Sequence, residues 1–154
     1  TDTPIWIKGI GQKTLSAGFT KNQDFSSMKS TREAAKTAFE MSKLNPSDID
    51  VAEVHDAFTV CELMAIEDLG LASKGEGRKF VKTLYETDDR KINPRGGLIG
   101  AGHPLGATGI AQVIETTQQL QGTAEKRQIE NAKVGLVHNM SAAATSSTVL
   151  LLQS

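Results

Sequence analysis

The stretch NPRGGLIGAGHPLGATG (Asn93–Gly109) crowds six glycines around a single imidazole, His103. Pro104 stiffens the turn that follows. From Thr108 to Gln121 the chain then reads as a helix, with Ile110, Val113, Ile114 and Leu120 expected inward and Gly122 as its stop. A glycine-rich turn opening a helix admits several uses. It can be a plain loop, an anion cradle at a helix N-terminus, or a thin-walled turn that brings a catalytic group to a ligand without side-chain bulk.

Working outward, DIDVAEV reads as a short strand ending near Val54, and HDAF follows at once. Thr59 and Glu62 have the spacing of a capping box, Leu63, Ile66 and Leu69 suit a buried helical face, and Gly70 is a stop. Ala72 to Arg95 is charged and glycine-punctuated, a loop with a short helix near Phe80–Tyr85. At the start, IWIKGIG (Ile5–Gly11) reads as a strand with Ile5, Ile7 and Ile10 apolar. A polar loop is expected from Lys13 to Lys29. Ser30 and Glu33 form a second capping-box spacing before a helix with Ala35, Ala38, Phe39 and Met41 on one face. NPSD (Asn45–Asp48) is turn chemistry.

At the other end, KVGLVHN (Lys133–Asn139) and STVLLLQ (Ser147–Gln153) read as closing strands, near enough to pair as an antiparallel hairpin across MSAAATS. Strands alternating with helices point to an α/β layered sheet, and no linker divides residues 1–154 into two domains. A net charge of −1 gives no global positive field for nucleic acid. No apolar run approaches the length of a membrane span. TDTPIWIKG lacks the pattern of a secretory signal. The lone Cys61 has no internal disulfide partner, which fits a cytoplasmic protein.

The three histidines, His55, His103 and His138, each fall at or near an expected strand end or in the glycine-rich turn. In open α/β sheets ligands gather at the carboxyl ends of strands. A zinc site is disfavoured because the three are widely separated, with no HxH or HExxH spacing. A nucleotide loop lacks both GxxxxGK[ST] and GxGxxG. Acid–base work suits an imidazole near neutral pH, with backbone N–H groups beside it to hold an oxyanion. Such a site wants a nucleophile. Cys61 falls on an expected helix and reads as a small buried residue instead. Asp56 beside His55 has two open readings, orienting the ring or capping the following helix.

VAEVHDAF, the Gly102–Gly109 motif GHPLGATG and VGLVHNM together resemble the C-terminal half of a thiolase, across essentially the whole chain. The pattern looks most like the sterol-carrier-protein-type and archaeal acetyl-CoA acetyltransferase branch. The resemblance implies a five-stranded mixed sheet with helices on both faces. It implies Claisen condensation of acyl-CoA thioesters or the thiolytic reverse, with the coenzyme A thioester as substrate and no metal or other cofactor. It implies that His103 activates a nucleophilic cysteine carried by an N-terminal half absent from this chain, and helps polarise a thioester carbonyl. His55 then serves an oxyanion hole, and His138 stands where other branches carry an acid–base cysteine segment. Gly102, Gly106, Ala107 and Asn139 are expected to line the substrate. The implied partners are the N-terminal half, further copies in a homo-oligomer, and a small OB-fold/zinc-ribbon acyl-CoA-binding protein. Two departures stand out. Ala57 replaces a cysteine frequent in sterol-carrier-type relatives, and Met140–Ala144 replaces a glycine-rich stretch. On this view the chain alone is inactive; the alternatives are a non-catalytic acyl-CoA-binding or scaffolding subunit, and part of an acyl-CoA aldolase.

Overall fold

A computed structural model describes residues 3–16 and 24–154. The elements follow in the order β1 (Trp6–Thr14), α1 (Lys29–Ser42), β2 (Val51–Glu53), α2 (Thr59–Asp68), α3 (Gly77–Thr87), α4 (Gly97–Ala101), α5 (Thr108–Gln121), β3 (Val134–Met140) and β4 (Ser146–Gln153). Part of the polar loop expected over Lys13–Lys29 lies outside the described residues.

The strands form one mixed sheet in the order β1-β4-β3-β2. β4 is antiparallel to both β1 and β3, so the expected closing hairpin forms, while β2 runs parallel to β3. The sheet has four strands among the described residues rather than the five implied by the resemblance. A fifth position is filled by a single bridge, Ile92 beside Ala52. Ala52 N–H donates to Lys91 O and Asn93 N–H donates to Ala52 O, each at 2.8 Å. Pro94 then supplies no backbone N–H to carry the ladder further.

Side chains alternate across a strand, and both faces are covered. On one face Ala34, Ala35 and Ala38 of α1 pack on Ala52, Leu136, Val149 and Leu151, with Leu69 at the end of α2. The approach is close: a Cβ at Gly11 would lie 1.9 Å from Ala34 O. On the other face Leu120 of α5 packs on Val51, Val137 and Leu152. Here a Cβ at Gly135 would lie 2.3 Å from Thr116 Cγ2.

Several local expectations give way to tertiary ones. Neither capping box forms: α1 is preceded by Met28 and α2 by Phe58, with no side-chain cap on either. Ser30 is drawn into the core instead, and Glu62 accepts from Asn93. The charged stretch after Gly70 carries a full helix, α3, rather than a short one. Met41, expected on the apolar face of α1, is exposed, and so are Ile7 and Ile10 of β1.

The largest correction concerns α5. Ile110 and Ile114 are 64% and 53% exposed, while Gln112, Glu115, Thr116 and Gln119 are buried against the sheet. Three of those polar groups find specific partners, while the Thr116 hydroxyl has none. Gln112 donates to His138 O, Gln119 donates to Arg127 O, and Arg127 makes a paired contact with Glu115. Ile110 and Ile114 are thereby left outward, while Leu120 keeps its expected inward place.

Candidate active site

Parallel pairing of β2 and β3 sets Glu53 opposite Val137. His55, two residues beyond Glu53, and His138, the residue after Val137, therefore arrive at the same carboxyl end of the sheet. His103 reaches them from a different direction, out of the turn after α4, which breaks at Gly102 with φ +93°. The His55 and His103 rings meet edge-on, 4.9 Å between centroids. His103 Nδ1 lies 2.8 Å from Thr108 Oγ1 at the start of α5. With Nδ1–H donating to Thr108, Nε2 is a base in the neutral ring and carries the transferable proton in the imidazolium, so one orientation suits both forms. The pair can therefore serve either direction of proton transfer.

Asp56 joins the HDAF segment to the glycine-rich loop. Its carboxyl accepts from Leu98 N–H at 2.6 Å. Of the two readings left open, capping is the one seen, but the helix capped is α4 and not the following α2. Gly97 permits this, since its φ is +60° and a Cβ there would lie 2.1 Å from Asp56 Oδ2. Asn93, at φ +50°, accepts from Val54 N–H and donates to Glu62. The HDAF strand end and the NPRGG loop are thus tied together twice.

His55 is 5% exposed. Burial pushes its pKa down, with His103 adding to the effect and Asp56 opposing it. His138 is fully buried, and burial pushes its pKa down to about 3, with His55 contributing. Glu53, on the opposite face of β2, is fully buried and raised to about 7 by that burial. An Arg95 amide donates to its Oε1, while its Oε2 has no hydrogen-bond partner.

A cavity of about 810 Å³ opens at this end of the sheet. His55, His103 and Asn139 stand on its wall, and the remainder is mostly apolar: Ala57, Phe58, Cys61, Met64, Met28 and Met140. The turn Ala142–Ala144 closes one side, with Ala143 and Ala144 at φ +55° and +49°. Cys61 is half-buried and burial pushes its thiol up, away from thiolate character. Asn139 donates to Gln112 and also borders a second, apolar groove with Gly106. Ala107 precedes α5, and Gly102 forms the exit from α4. Thus the structure brings His55, His103 and Asn139 to one cavity and sets His138 beneath it, off the wall. Thr108, Thr31 and Ser147 were not singled out as site residues in the sequence; Thr108, five residues after His103, was the one with a local signal. Among the described residues no cluster of His, Cys, Asp or Glu is placed to hold a metal ion.

This layered α/β unit, with a histidine-lined cavity at the strand ends, belongs to the thiolase C-terminal domain-like family, whose model matches residues 11–154. The chain is 46% identical over 142 residues to an acetyl-CoA acetyltransferase of Methanothermobacter thermautotrophicus, covering 91% of this chain and 37% of that protein. It is 52% identical over 112 residues to sterol carrier protein 2 of Bos taurus, covering 71% of this chain and 21% of that one. The chain therefore spans well under half the length of these relatives. In fold it superposes on a chain of the Ltp2-ChsH2(DUF35) aldolase with a TM-score of 0.85 at 22% identity, over 99% of this chain and 40% of that one. No described helix is long and apolar enough to cross a membrane.

Proposed function

We propose that this chain is the C-terminal half of a thiolase-like enzyme that forms or cleaves the carbon–carbon bond of acyl-CoA thioesters, by Claisen condensation or thiolytic cleavage. The observation that carries the reading is the His55–His103 contact on the wall of a largely apolar cavity. In this reading His103 takes the proton of a cysteine thiol supplied by the N-terminal half. In the cleavage direction the resulting thiolate attacks the 3-oxo carbonyl and the bond to the neighbouring carbon breaks. Acetyl-CoA leaves as its enolate and is protonated, and the thiol of a second coenzyme A takes the acyl group from the cysteine. During the attack charge develops on the carbonyl oxygen, where an imidazole N–H of His55 or His103 donates to it. The lowered pKa of His55 suits this, because a neutral imidazole donates without an added positive charge. His138 contributes from below, Asn139 stands on the wall, Gly106 borders the neighbouring groove, and Gly102 and Ala107 flank the turn that carries His103 toward the substrate. The coenzyme A thioester is the substrate, and the chemistry is carried by side chains.

The N-terminal half is the principal partner. Support comes from the outward apolar side of α5 and the neighbouring sheet. Leu105, Ile110 and Ile114 border an open groove with Val113 and Leu150, and Ile10 pairs with Leu150 on the same face. A surface of this kind favours a protein partner. We extend the reading to a homo-oligomeric cytoplasmic enzyme, and to an association with a small OB-fold/zinc-ribbon acyl-CoA-binding protein.

A second reading is a subunit that binds acyl-CoA without turnover, or one serving aldol chemistry on acyl-CoA. It is favoured by Ala57, which supplies no thiol, and by the Cβ atoms of the Ala142–Ala144 turn on the cavity wall. The test mixes the chain with the nucleophile-bearing half and assays acetoacetyl-CoA thiolysis beside calorimetric acyl-CoA binding. Thiolysis by the mixture alone supports the first reading. Binding with no cleavage supports the second.

A further inference from the structure

Beneath the cavity runs a chain of buried polar groups whose direction is set by its last member. Ser30 Oγ lies 2.6 Å from the carbonyl oxygen of Ala144. A carbonyl only accepts, so the Ser30 hydroxyl must donate there. Its contact with Ser147 Oγ, at 2.8 Å, is then one in which Ser147 donates. Ser147 has only one proton, so Thr31, 3.0 Å away, donates to Ser147. Thr31 in turn has spent its proton, and His138 Nε2, also at 3.0 Å, must donate to Thr31. The imidazole is neutral, so its proton is on Nε2 and Nδ1 carries a lone pair. That lone pair faces the one donor that suits it, His55 N–H, at 3.5 Å. Five groups in sequence agree on one direction, and Ser30, Thr31 and His138 are each fully buried.

The two ends of this chain are the two sides of the cavity. One is the backbone of His55. The other is Ala144, in a turn whose two alanines sit in the left-handed region that costs a side-chain-bearing residue roughly 1–2 kcal/mol each. A conformation of that kind persists only where its surroundings over-determine it.

We propose that His138 is a positioning residue: through Thr31, Ser147 and Ser30 it locks the Ala143–Ala144 turn to the backbone of His55, and so fixes the width of the cavity between them. This rests on the thiolase-like reading for its effect on turnover, but its structural content does not depend on that reading. His138 itself does not touch substrate.

The test uses the chain assembled with its nucleophile-bearing half, with 15N-histidine incorporated into this chain only. The three histidines give separable ring signals. His138 is expected as a single Nε2–H tautomer that does not titrate between about pH 5 and about pH 8. Thr31→Val keeps the shape and removes the hydroxyl. It is expected to mix the tautomers of His138, shift the His55 signals and lower kcat about tenfold at nearly constant KM. Thr31→Ser restores the hydroxyl and is expected to recover all three. An Nδ1–H tautomer in the unaltered protein, a titrating His138, or Thr31→Val spectra identical to the parent would overturn the proposal. If the assembled protein shows no acyl-CoA turnover, the functional reading fails while the tautomer measurement still decides the relay.

Discussion

The His55 and His103 rings approach at 4.9 Å with 89° between their planes, although 47 positions separate them in the chain (103 minus 55, less one between). The contact is held less by the rings than by the carboxyl next door. Asp56 caps α4 through Leu98 N–H, and α4 ends in the turn that carries His103.

Removing that cap should therefore disturb a ring it does not touch. Asp56→Ala leaves a buried Leu98 N–H without an acceptor, a loss of about 1–3 kcal/mol in stability. In the assembled enzyme kcat is expected to fall about a hundredfold. Asp56→Asn keeps an acceptor oxygen and should recover most of both. Denaturant titration and steady-state kinetics on the two variants check this; equal effects from Ala and Asn would show that charge, not capping, is what matters.

Glu53 and His138 should cancel in the pH dependence of stability. Glu53 titrates from 4.5 unfolded to about 7 folded, so its contribution is full below 4.5 and is lost as pH rises through 7. His138 goes from 6.5 unfolded to about 3 folded, so its contribution is present above 6.5 and is lost as pH falls through 3. Between 4.5 and 6.5 the two slopes oppose, each about 1.4 kcal/mol per pH unit. Glu53→Gln should uncover a stability that declines on acidification across that window, at constant sign. A flat profile for Glu53→Gln, measured by urea unfolding, would contradict it.

The alanine turn makes its own prediction. Replacing Ala143 and Ala144 by glycine relieves left-handed strain of roughly 1–2 kcal/mol per residue and gives back about 0.5–1 kcal/mol each in unfolded-state entropy. The double variant should unfold later by about 1 kcal/mol and accept bulkier acyl-CoA thioesters. Thermal unfolding and the KM for a branched acyl-CoA read the two effects separately.

The open groove should be where the other half docks. Ile110→Asp and Ile114→Asp change nothing inside the chain, since both side chains point outward. Each should weaken association with the nucleophile-bearing half by about 10- to 100-fold, from the roughly 1.5–3 kcal/mol that a buried isoleucine contributes. Sedimentation of mixtures measures this directly, with unchanged affinity as the adverse result.

How much of this was legible in the sequence follows from where each partner lies. The limits of α5, 108–121, were readable because Gly122 ends a run of helix-compatible residues. Its orientation was not. Periodicity assigns Ile110 and Ile114 to the core, but the groups that satisfy Gln112, Gln119 and Glu115 sit in β3 and around Arg127. Once those polar groups are paired, burying them costs little, and the isoleucines turn outward. Ser30 shows the same at short range. Its spacing to Glu33 suggested a cap, yet its hydroxyl goes to Ala144 O, 114 positions away. His55 and His103 stand out in the sequence because each motif is contiguous, while their edge-on contact is set by the fold. The burial of His138 was not visible, because it depends on Thr31 and Ser147 closing over it from α1 and β4.

The central claim is that His103 serves a thioester reaction whose nucleophile comes from outside this chain. The most direct measurement is acetoacetyl-CoA cleavage by the assembled halves, with and without His103→Ala, at matched assembly. The expected result is cleavage in the parent mixture, none by the chain alone, and a loss of about 10²- to 10⁴-fold in kcat on His103→Ala. Cleavage by the mixture that is unchanged in His103→Ala would contradict the account.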